Sequence, residues 1–225
     1  PSAPDFRKND SKLSAATEHL VFPSDIEFID AQSLSHQHPW WHTEVGIGSP
    51  NFRWFIETHL RGKPPAVALE VAKRICSECG YSPTISSFAK NLGEYVAIHI
   101  RRTDKVRDKA VCALMISRSE LDDLNEKTKA VIKSLRVEGH SRFLICSDDD
   151  KSMVQYQNFV VDCGGEVLEI PKMEKSVSTY YDMASMSFAK VVVQSQRNSA
   201  FSNYASCIGD VPLWNVYQKQ PSKFI

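Results

Sequence analysis

From residue 94 onward, short apolar runs alternate with longer amphipathic segments, and this alternation constrains the fold more than any other feature of the chain. The apolar runs, rich in β-branched residues, predict strands at 95–100, 142–146, 165–170, 190–193 and 211–216. The segments between them predict helices at 117–135, 148–160, 178–189 and 199–207, with Ser119 as a candidate cap. Strands separated by helices form βαβ units, so the sequence predicts an α/β fold: a Rossmann-like, doubly wound parallel sheet covered on both faces.

The first ninety residues have a different character. They are rich in aromatic residues between positions 40 and 55, and they predict a strand at 22–29 and helices at 52–60 and 65–79. We therefore divide the chain into a smaller N-terminal accessory region, residues 1–90, and a Rossmann-like domain, residues 91–225.

Charge and hydropathy exclude several partner classes. The chain has 225 residues, with 27 Lys and Arg against 27 Asp and Glu. A net charge of zero argues against a protein built mainly to hold nucleic acid or an anionic membrane. No apolar run approaches the roughly 18 residues of a membrane helix, so we expect no membrane segment in this chain. Six scattered cysteines do not form a disulfide scaffold and leave the compartment open.

Polar clusters follow three of the predicted strands. They lie at 99–105, 147–150 and 194–199. Ligands of an open parallel sheet bind outside the carboxyl ends of its strands, so we expect these three clusters to converge on one site.

Two adjacent arginines make the first cluster the most informative. Strand alternation places His99 and Arg101 on one side and Arg102 on the other. Arginines at a strand end commonly grip phosphate in a bidentate, charge-assisted way. The alternative, in which one arginine pairs with Asp104 and the other faces solvent, fits Arg102 better than Arg101. In the third cluster, Ser199 and its neighbours fit either an anion site at a helix start or plain N-capping.

The segment from Tyr95 to Lys105 resembles the HxRRTDK signature of the core α1,6-fucosyltransferases and their nodulation-protein relatives. The run 145–149 resembles that family's strand ending in TDD, and Asp182 with the turn at 195–199 resembles its later motifs in the same order. The resemblance extends from about residue 94 to 207. It implies a GT-B-type architecture, with the chain's Rossmann-like domain as the donor half and the N-terminal region on the acceptor side.

The resemblance also implies roles for individual residues. His99 and Arg101 would contact the ribose and β-phosphate of GDP-fucose, and Asp182 would accept hydrogen bonds from guanine. The other donor-binding candidates are Arg102, Asp148, Asn198 and Ser199. The partners would be the nucleotide sugar and a glycan acceptor, fucose would be transferred with inversion, and neither a metal nor a cofactor would be needed.

The catalytic base departs from the family pattern. The family has a glutamate shortly after the lysine of the motif, whereas this chain has a lysine near that place. Asp108, or less favourably Asp104, would substitute as the base. The catalytic candidates are therefore Arg101, Lys105 and Asp108.

Two other functions and two compartments stay open. Asp148, Asp149 and Asp150 fit the DxD motif of metal-dependent GT-A glycosyltransferases, although an acidic first helical turn explains them equally well. The domain would also fit a non-catalytic nucleotide- or phosphate-binding module. The chain would work either in the Golgi lumen, with an anchor lost, or in the cytoplasm.

Overall fold

The computed structural model describes residues 20–21, 80–103, 106–107, 116–171, 175–196 and 199–222. The elements in chain order are β1 (Leu20–Val21), β2 (Gly80–Tyr81), α1 (Pro83–Asn91), β3 (Val96–Ile100), β4 (Val106–Arg107), β5 (Ile116–Ser117), a 3₁₀ turn (Arg118–Glu120), α2 (Leu121–Val137), β6 (Arg142–Ser147), α3 (Asp150–Asp162), β7 (Glu166–Leu168), α4 (Lys175–Ser187), β8 (Val191–Gln194), α5 (Ala200–Gly209) and β9 (Leu213–Asn215).

Five of these strands form one parallel sheet in the order β7-β6-β3-β8-β9. Along the chain, the first strand of this sheet is the central strand β3. The strands β6 and β7 follow on one side of it, and the chain then crosses back to add β8 and β9 on the other side. The strand order therefore reverses between β3 and β8. This is the arrangement of a doubly wound nucleotide-binding domain, and it confirms the predicted α/β class with a parallel sheet.

The two faces of the sheet have separate cores. On one face, Ile98 and Ile100 of β3 pack with Leu124 and Ile132 of α2 and with Tyr156 of α3. The opposite face has its own list of core residues: Tyr95, Ala97, Leu144, Met186, Val192, Ala205. Successive residues of a strand point to opposite faces, so β3 supplies both cores at once. We refer to these as the α2/α3 side and the α4/α5 side.

Helix α5 approaches α4 closely. A Cβ atom on Gly209 would lie 1.9 Å from the carbonyl oxygen of Ser187, so this position requires glycine. Near the same end of α5, Cys207 is disulfide-bonded, whereas Cys146 and Cys163 are free thiols. The sequence analysis did not foresee that disulfide. The end of α5 is thus held by close packing and by a covalent bond.

The main strands and helices agree with the predicted ones, with ends shifted by a few residues. Ser119 does not cap α2: Ser117 and Glu120 form a capping box on the 3₁₀ turn that precedes the helix, and the N-cap residue of α2 is Glu120. Helix α1 was missed; it packs through Ile85 and Ala89 near Ala184 of α4. The pairs β1–β2, antiparallel, and β4–β5, parallel, were also missed. The predicted elements at 22–29, 52–60 and 65–79 lie outside the described residues. In the described part, no helix is long and apolar enough to cross a membrane.

Candidate functional site

The carboxyl ends of β3 and β8 are tied together where the strand order reverses. The backbone N–H of Ser195 donates to the carbonyl of His99 at 3.0 Å. Two residues after His99, the N–H of Arg101 donates to Oε1 of Gln196, the residue after Ser195, at 3.3 Å. The loops that carry the first and third polar clusters are therefore adjacent, at the place where doubly wound domains bind their ligands.

On the α2/α3 side, Arg102 is buried and its guanidinium bonds to protein groups. It donates to the carbonyl of Ser195 at 2.8 Å and to Oγ of the same serine at 2.9 Å. It also reaches Oδ1 of Asn125 at 3.3 Å. Arg102 thus braces the loop after β8 against α2.

Further hydrogen bonds complete this polar network. Thr128 of α2 lies 2.8 Å from Ser195 through their hydroxyl oxygens and donates to the carbonyl of Leu124. The hydroxyl of Tyr156 donates to Oδ1 of Asn125 at 2.9 Å. A buried polar network is stabilising only when its members are satisfied, and these members satisfy one another.

The acidic triplet after β6 is engaged by the protein. Asp148 accepts the backbone N–H of Arg102 at 2.7 Å and bonds both to the N–H and to the hydroxyl of Thr103. Asp149 caps α3 by accepting the N–H of Ser152 at 2.8 Å, and hydrogen bonds from the side chain and the backbone of Ser152 lower the pKa of Asp149. The arrangement favours the helix-turn interpretation of the triplet. Among the described residues, no group of three His, Cys, Asp or Glu side chains is arranged to hold a metal ion.

On the α4/α5 side, His99 lies in a cationic and desolvated setting. Burial, together with the positive charge of Arg101, lowers the pKa of His99 to about 4. The ring is therefore neutral at physiological pH. It packs against Phe201, the second residue of α5, with 5.4 Å between the ring centroids.

A buried glutamine holds the start of α5. Gln194 donates to the carbonyl of Ser199, to the hydroxyl of Ser202 and to Oδ1 of Asn203, at 2.8 to 3.0 Å. Its own Oε1 accepts Asn215 of β9 at 2.7 Å. The turn between β8 and α5 is therefore fixed relative to the sheet.

Besides the buried hydroxyl of Ser185 on α4, two polar groups on this side have no protein partner among the described residues. The hydroxyl of Ser199 is buried and makes no hydrogen bond, although Ser199 is the N-cap residue of α5. No described residue bonds to the carboxylate of Asp182 on α4, and burial raises its pKa to about 6. Its charge influences Cys146, which pairs in register with His99. Unsatisfied polar groups are rare in folded proteins, so these two indicate a site for a bound molecule.

The structure brings together most of the predicted site residues that it describes. His99, Arg101 and Arg102 lie at the end of β3, Asp148 at the end of β6 and Ser199 at the start of α5. Lys105, Asp108 and Asn198 lie outside the described residues, as does Asp104. The sequence analysis assigned no role to Gln194 and Gln196; two glutamines directly after a run of three valines were the signal.

Several solved structures are similar to this chain. POFUT1 in complex with GDP-fucose is 16% identical over 68% of this chain and 50% of that chain, with a TM-score of 0.47. NodZ alpha-1,6-fucosyltransferase soaked with GDP-fucose is 19% identical over 65% of this chain and 48% of that chain, with a TM-score of 0.40. Fucosyltransferase NodZ from Bradyrhizobium is 16% identical, also with a TM-score of 0.40.

The chain spans about half the length of these structures. No family model and no curated protein sequence matches it.

Proposed function

We propose that this chain carries the donor-binding half of an inverting glycosyltransferase that transfers fucose from GDP-fucose to a hydroxyl of a glycan. The single observation that carries the proposal is the pair of unpartnered polar groups, Asp182 and Ser199, on the α4/α5 side of the sheet. The resemblance of residues 95–105 to the HxRRTDK signature adds the identity of the donor.

A diphosphate fits the groups at the loops after β3 and β8. Burial and the positive charge of Arg101 lower the pKa of His99, and the backbone N–H of Arg101 and the ring of His99 contact the same side chain, Gln196. Ser199 stands at the N-terminus of α5, where backbone N–H groups and the helix dipole favour an anion. A phosphate oxygen would give the hydroxyl of Ser199 the partner that it lacks.

A guanine base fits the carboxylate of Asp182. Guanine presents two neighbouring donors, N1–H and the exocyclic amine, and an ionised carboxylate accepts both. Asp182 is mostly buried without a described donor, so its ionised form is costly until a ligand supplies one. The same carboxylate offers a poorer match to adenine or uracil, which present a single donor at that edge.

The transfer is a displacement at the anomeric carbon of fucose. The acceptor hydroxyl oxygen forms the new bond as the bond from that carbon to the β-phosphate oxygen breaks, and GDP leaves with the electron pair. Arg101 neutralises the charge that develops on the leaving diphosphate. The hydroxyl proton passes to a carboxylate, for which Asp108 is the candidate, with Asp104 the less favoured one. Lys105, the last residue of the motif, adds a further positive charge to the same loop.

Binding by nucleotides tests the proposal directly. We would measure melting temperatures with GDP, UDP, CMP and their sugars, each with EDTA and with manganese. GDP and GDP-fucose should raise the melting temperature by roughly 5–10 °C at about 100 times their Kd, equally in EDTA. A response that requires manganese would instead favour the metal-dependent alternative, and no response to guanine nucleotides would overturn the proposal.

Two isosteric variants sharpen the test. Asp182→Asn should weaken GDP binding and reduce the preference for GDP over inosine diphosphate, which lacks the exocyclic amine. Asp162→Asn, an exposed change at the end of α3, is the matched control. Release of fucose from GDP-fucose, or its transfer to a glycan, separates an enzyme from a module that only binds the nucleotide.

A further inference from the structure

Gln196 contacts both His99, in β3, and Arg101, just beyond the end of that strand. It is fully buried, with none of its surface exposed. Its Oε1 accepts the backbone N–H of Arg101 at 3.3 Å, and its Nε2 lies 3.4 Å from Nδ1 of His99. The side chain of Gln196 thus contacts two residues of the first polar cluster.

The hydrogen bond to Arg101 fixes which way the amide of Gln196 points. A backbone N–H is only a donor, so the amide atom that faces it must be the oxygen. The NH₂ group then faces His99, and an NH₂ group is only a donor. Nδ1 of His99 must therefore accept, which leaves the ring proton on Nε2.

The position of Gln196 is itself anchored from β9. Nδ2 of Asn215 donates to the backbone carbonyl of Gln196 at 3.0 Å and to Oε1 of Gln194 at 2.7 Å. Two neighbouring strand ends are thereby locked in register with β3. Gln196 is consequently held from β9 as well as from the end of β3.

We infer that Gln196 is a positioning residue that fixes His99 as the Nε2–H tautomer and anchors the backbone of Arg101, so that His99 presents a hydrogen-bond donor to the bound molecule. No described residue bonds to Nε2, which leaves that donor available. A neutral imidazole in this tautomer donates to a phosphate or hydroxyl oxygen, and it cannot take the proton of an acceptor hydroxyl through Nε2. Only the naming of that molecule as a nucleotide sugar rests on the proposed function.

The inference can be tested directly by measuring which ring nitrogen of His99 carries the proton. We would record long-range ¹H–¹⁵N correlations of the ¹⁵N-labelled chain and assign His99 by comparison with His99→Gln. The wild-type ring should carry its proton on Nε2 throughout the range from about pH 5 to 8. A proton on Nδ1 in the wild type would overturn the inference without any variant.

Gln196→Glu replaces the NH₂ donor that faces His99 with a carboxylate oxygen, which is an acceptor. Its carboxylate still accepts from Arg101 but also accepts from Nδ1–H, so we expect His99 to move to the Nδ1–H tautomer or to the imidazolium. Gln155→Glu, an exposed change on α3, introduces the same charge elsewhere and should leave the His99 signals unchanged. Unaltered tautomer and titration of His99 in Gln196→Glu would also overturn the inference.

Gln196→Met keeps the chain length and removes both hydrogen bonds, and it decides the question if the glutamate variant does not fold. It should leave His99 as a mixture of tautomers and weaken GDP binding about tenfold. An unchanged single tautomer in this variant would contradict the inference. If wild-type His99 carries its proton on Nε2 but GDP does not bind, the proposed function fails and the positioning role stands.

Discussion

The two sides of the sheet treat their polar groups differently at the edge where the strand order reverses. On the α2/α3 side, the groups around Arg102 and Ser195 bond to one another. On the α4/α5 side, Ser199 and Asp182 find no partner among the described residues. Both sides lie at the ends of the same strands, so the difference is not one of secondary structure.

The difference teaches where a ligand belongs. Leaving a buried donor or acceptor unsatisfied costs about 1–3 kcal/mol, and a fold rarely retains such groups without a use. The α2/α3 side therefore acts as a rigid support, and the α4/α5 side is left to be completed by a bound molecule. Arg102 belongs to the support, and we propose its neighbour Arg101 for the ligand.

The largest expected effect is on the ligand side. Arg101→Ala should lower turnover about 10³-fold, because it removes the charge that stabilises the leaving diphosphate. Its melting temperature should stay within about 2 °C of the wild type, since Arg101 lies beyond the strand and outside both cores. Steady-state kinetics with GDP-fucose and a melting curve measure the two effects, and wild-type turnover would contradict the assignment.

Arg102→Met should show the opposite pattern. It removes the donors that satisfy Ser195 and Asn125, and we expect a loss of about 3 kcal/mol in unfolding free energy, or roughly 6–12 °C in melting temperature. Arg118→Met, at an exposed position, is the control for loss of charge. If Arg102→Met melts like the wild type but no longer binds GDP, Arg102 is a phosphate ligand as the sequence predicts, and the comparison between the two sides fails.

The alternation of strands and helices and the polar clusters after the strands predicted much of the fold and of the candidate site from the sequence. They predicted the parallel sheet, the convergence of the loops after β3 and β8, and the opposite orientations of His99 and Arg102. The strand order was not predictable in this way, because pairing between distant strands leaves no local pattern. Nor was the burial of Arg102, since its partners Asn125 and Ser195 lie 23 and 93 residues further along the chain.

Two misses have identifiable signals. Ser82 followed by Pro83 is typical of a helix start, and it marks the α1 that the analysis overlooked. Gln194 and Gln196 were grouped with the polar turn after β8, but their roles depend on acceptors and donors from three other elements. A side chain that works by bridging elements cannot be assigned from its own sequence neighbours.

Lowering the pH should change stability and GDP binding in opposite directions through Asp182. We expect effects between those of the arginine variants and that of Thr128→Val. The pKa of this group rises on folding from 3.8 to about 6, so the protonated form favours the folded state. Relative to Asp182→Asn, the ligand-free wild type should therefore gain stability as the pH falls from 6 to 4. GDP binding needs the ionised form and should weaken about tenfold for each unit below pH 6.

The control for this prediction is Asp182→Asn, because the phosphate groups of GDP titrate in a similar range. Calorimetric Kd values for both proteins across the same pH series isolate the contribution of the carboxylate. Parallel pH curves for the wild type and the variant would rule out Asp182 as the group that contacts the base.

We expect the smallest effect on stability from a variant in the hydrogen-bond network on the α2/α3 side. Thr128→Val removes one hydroxyl from the network but leaves Ser195 bonded to Arg102, so the unfolding free energy should fall by about 1 kcal/mol. GDP affinity should not change. Thr84→Val, exposed on α1, is the matched control for denaturant unfolding. A loss of affinity in Thr128→Val would mean that the two sides are not energetically separate.

The disulfide at Cys207 has a consequence for where this site is assembled. Cys207 belongs to α5, the helix that has Ser199 as its N-cap residue and Phe201 in its first turn. Such bonds form and persist in oxidising surroundings and are rare where glutathione keeps thiols reduced. Protein produced in a reducing bacterial host would therefore lack one of the bonds that hold α5.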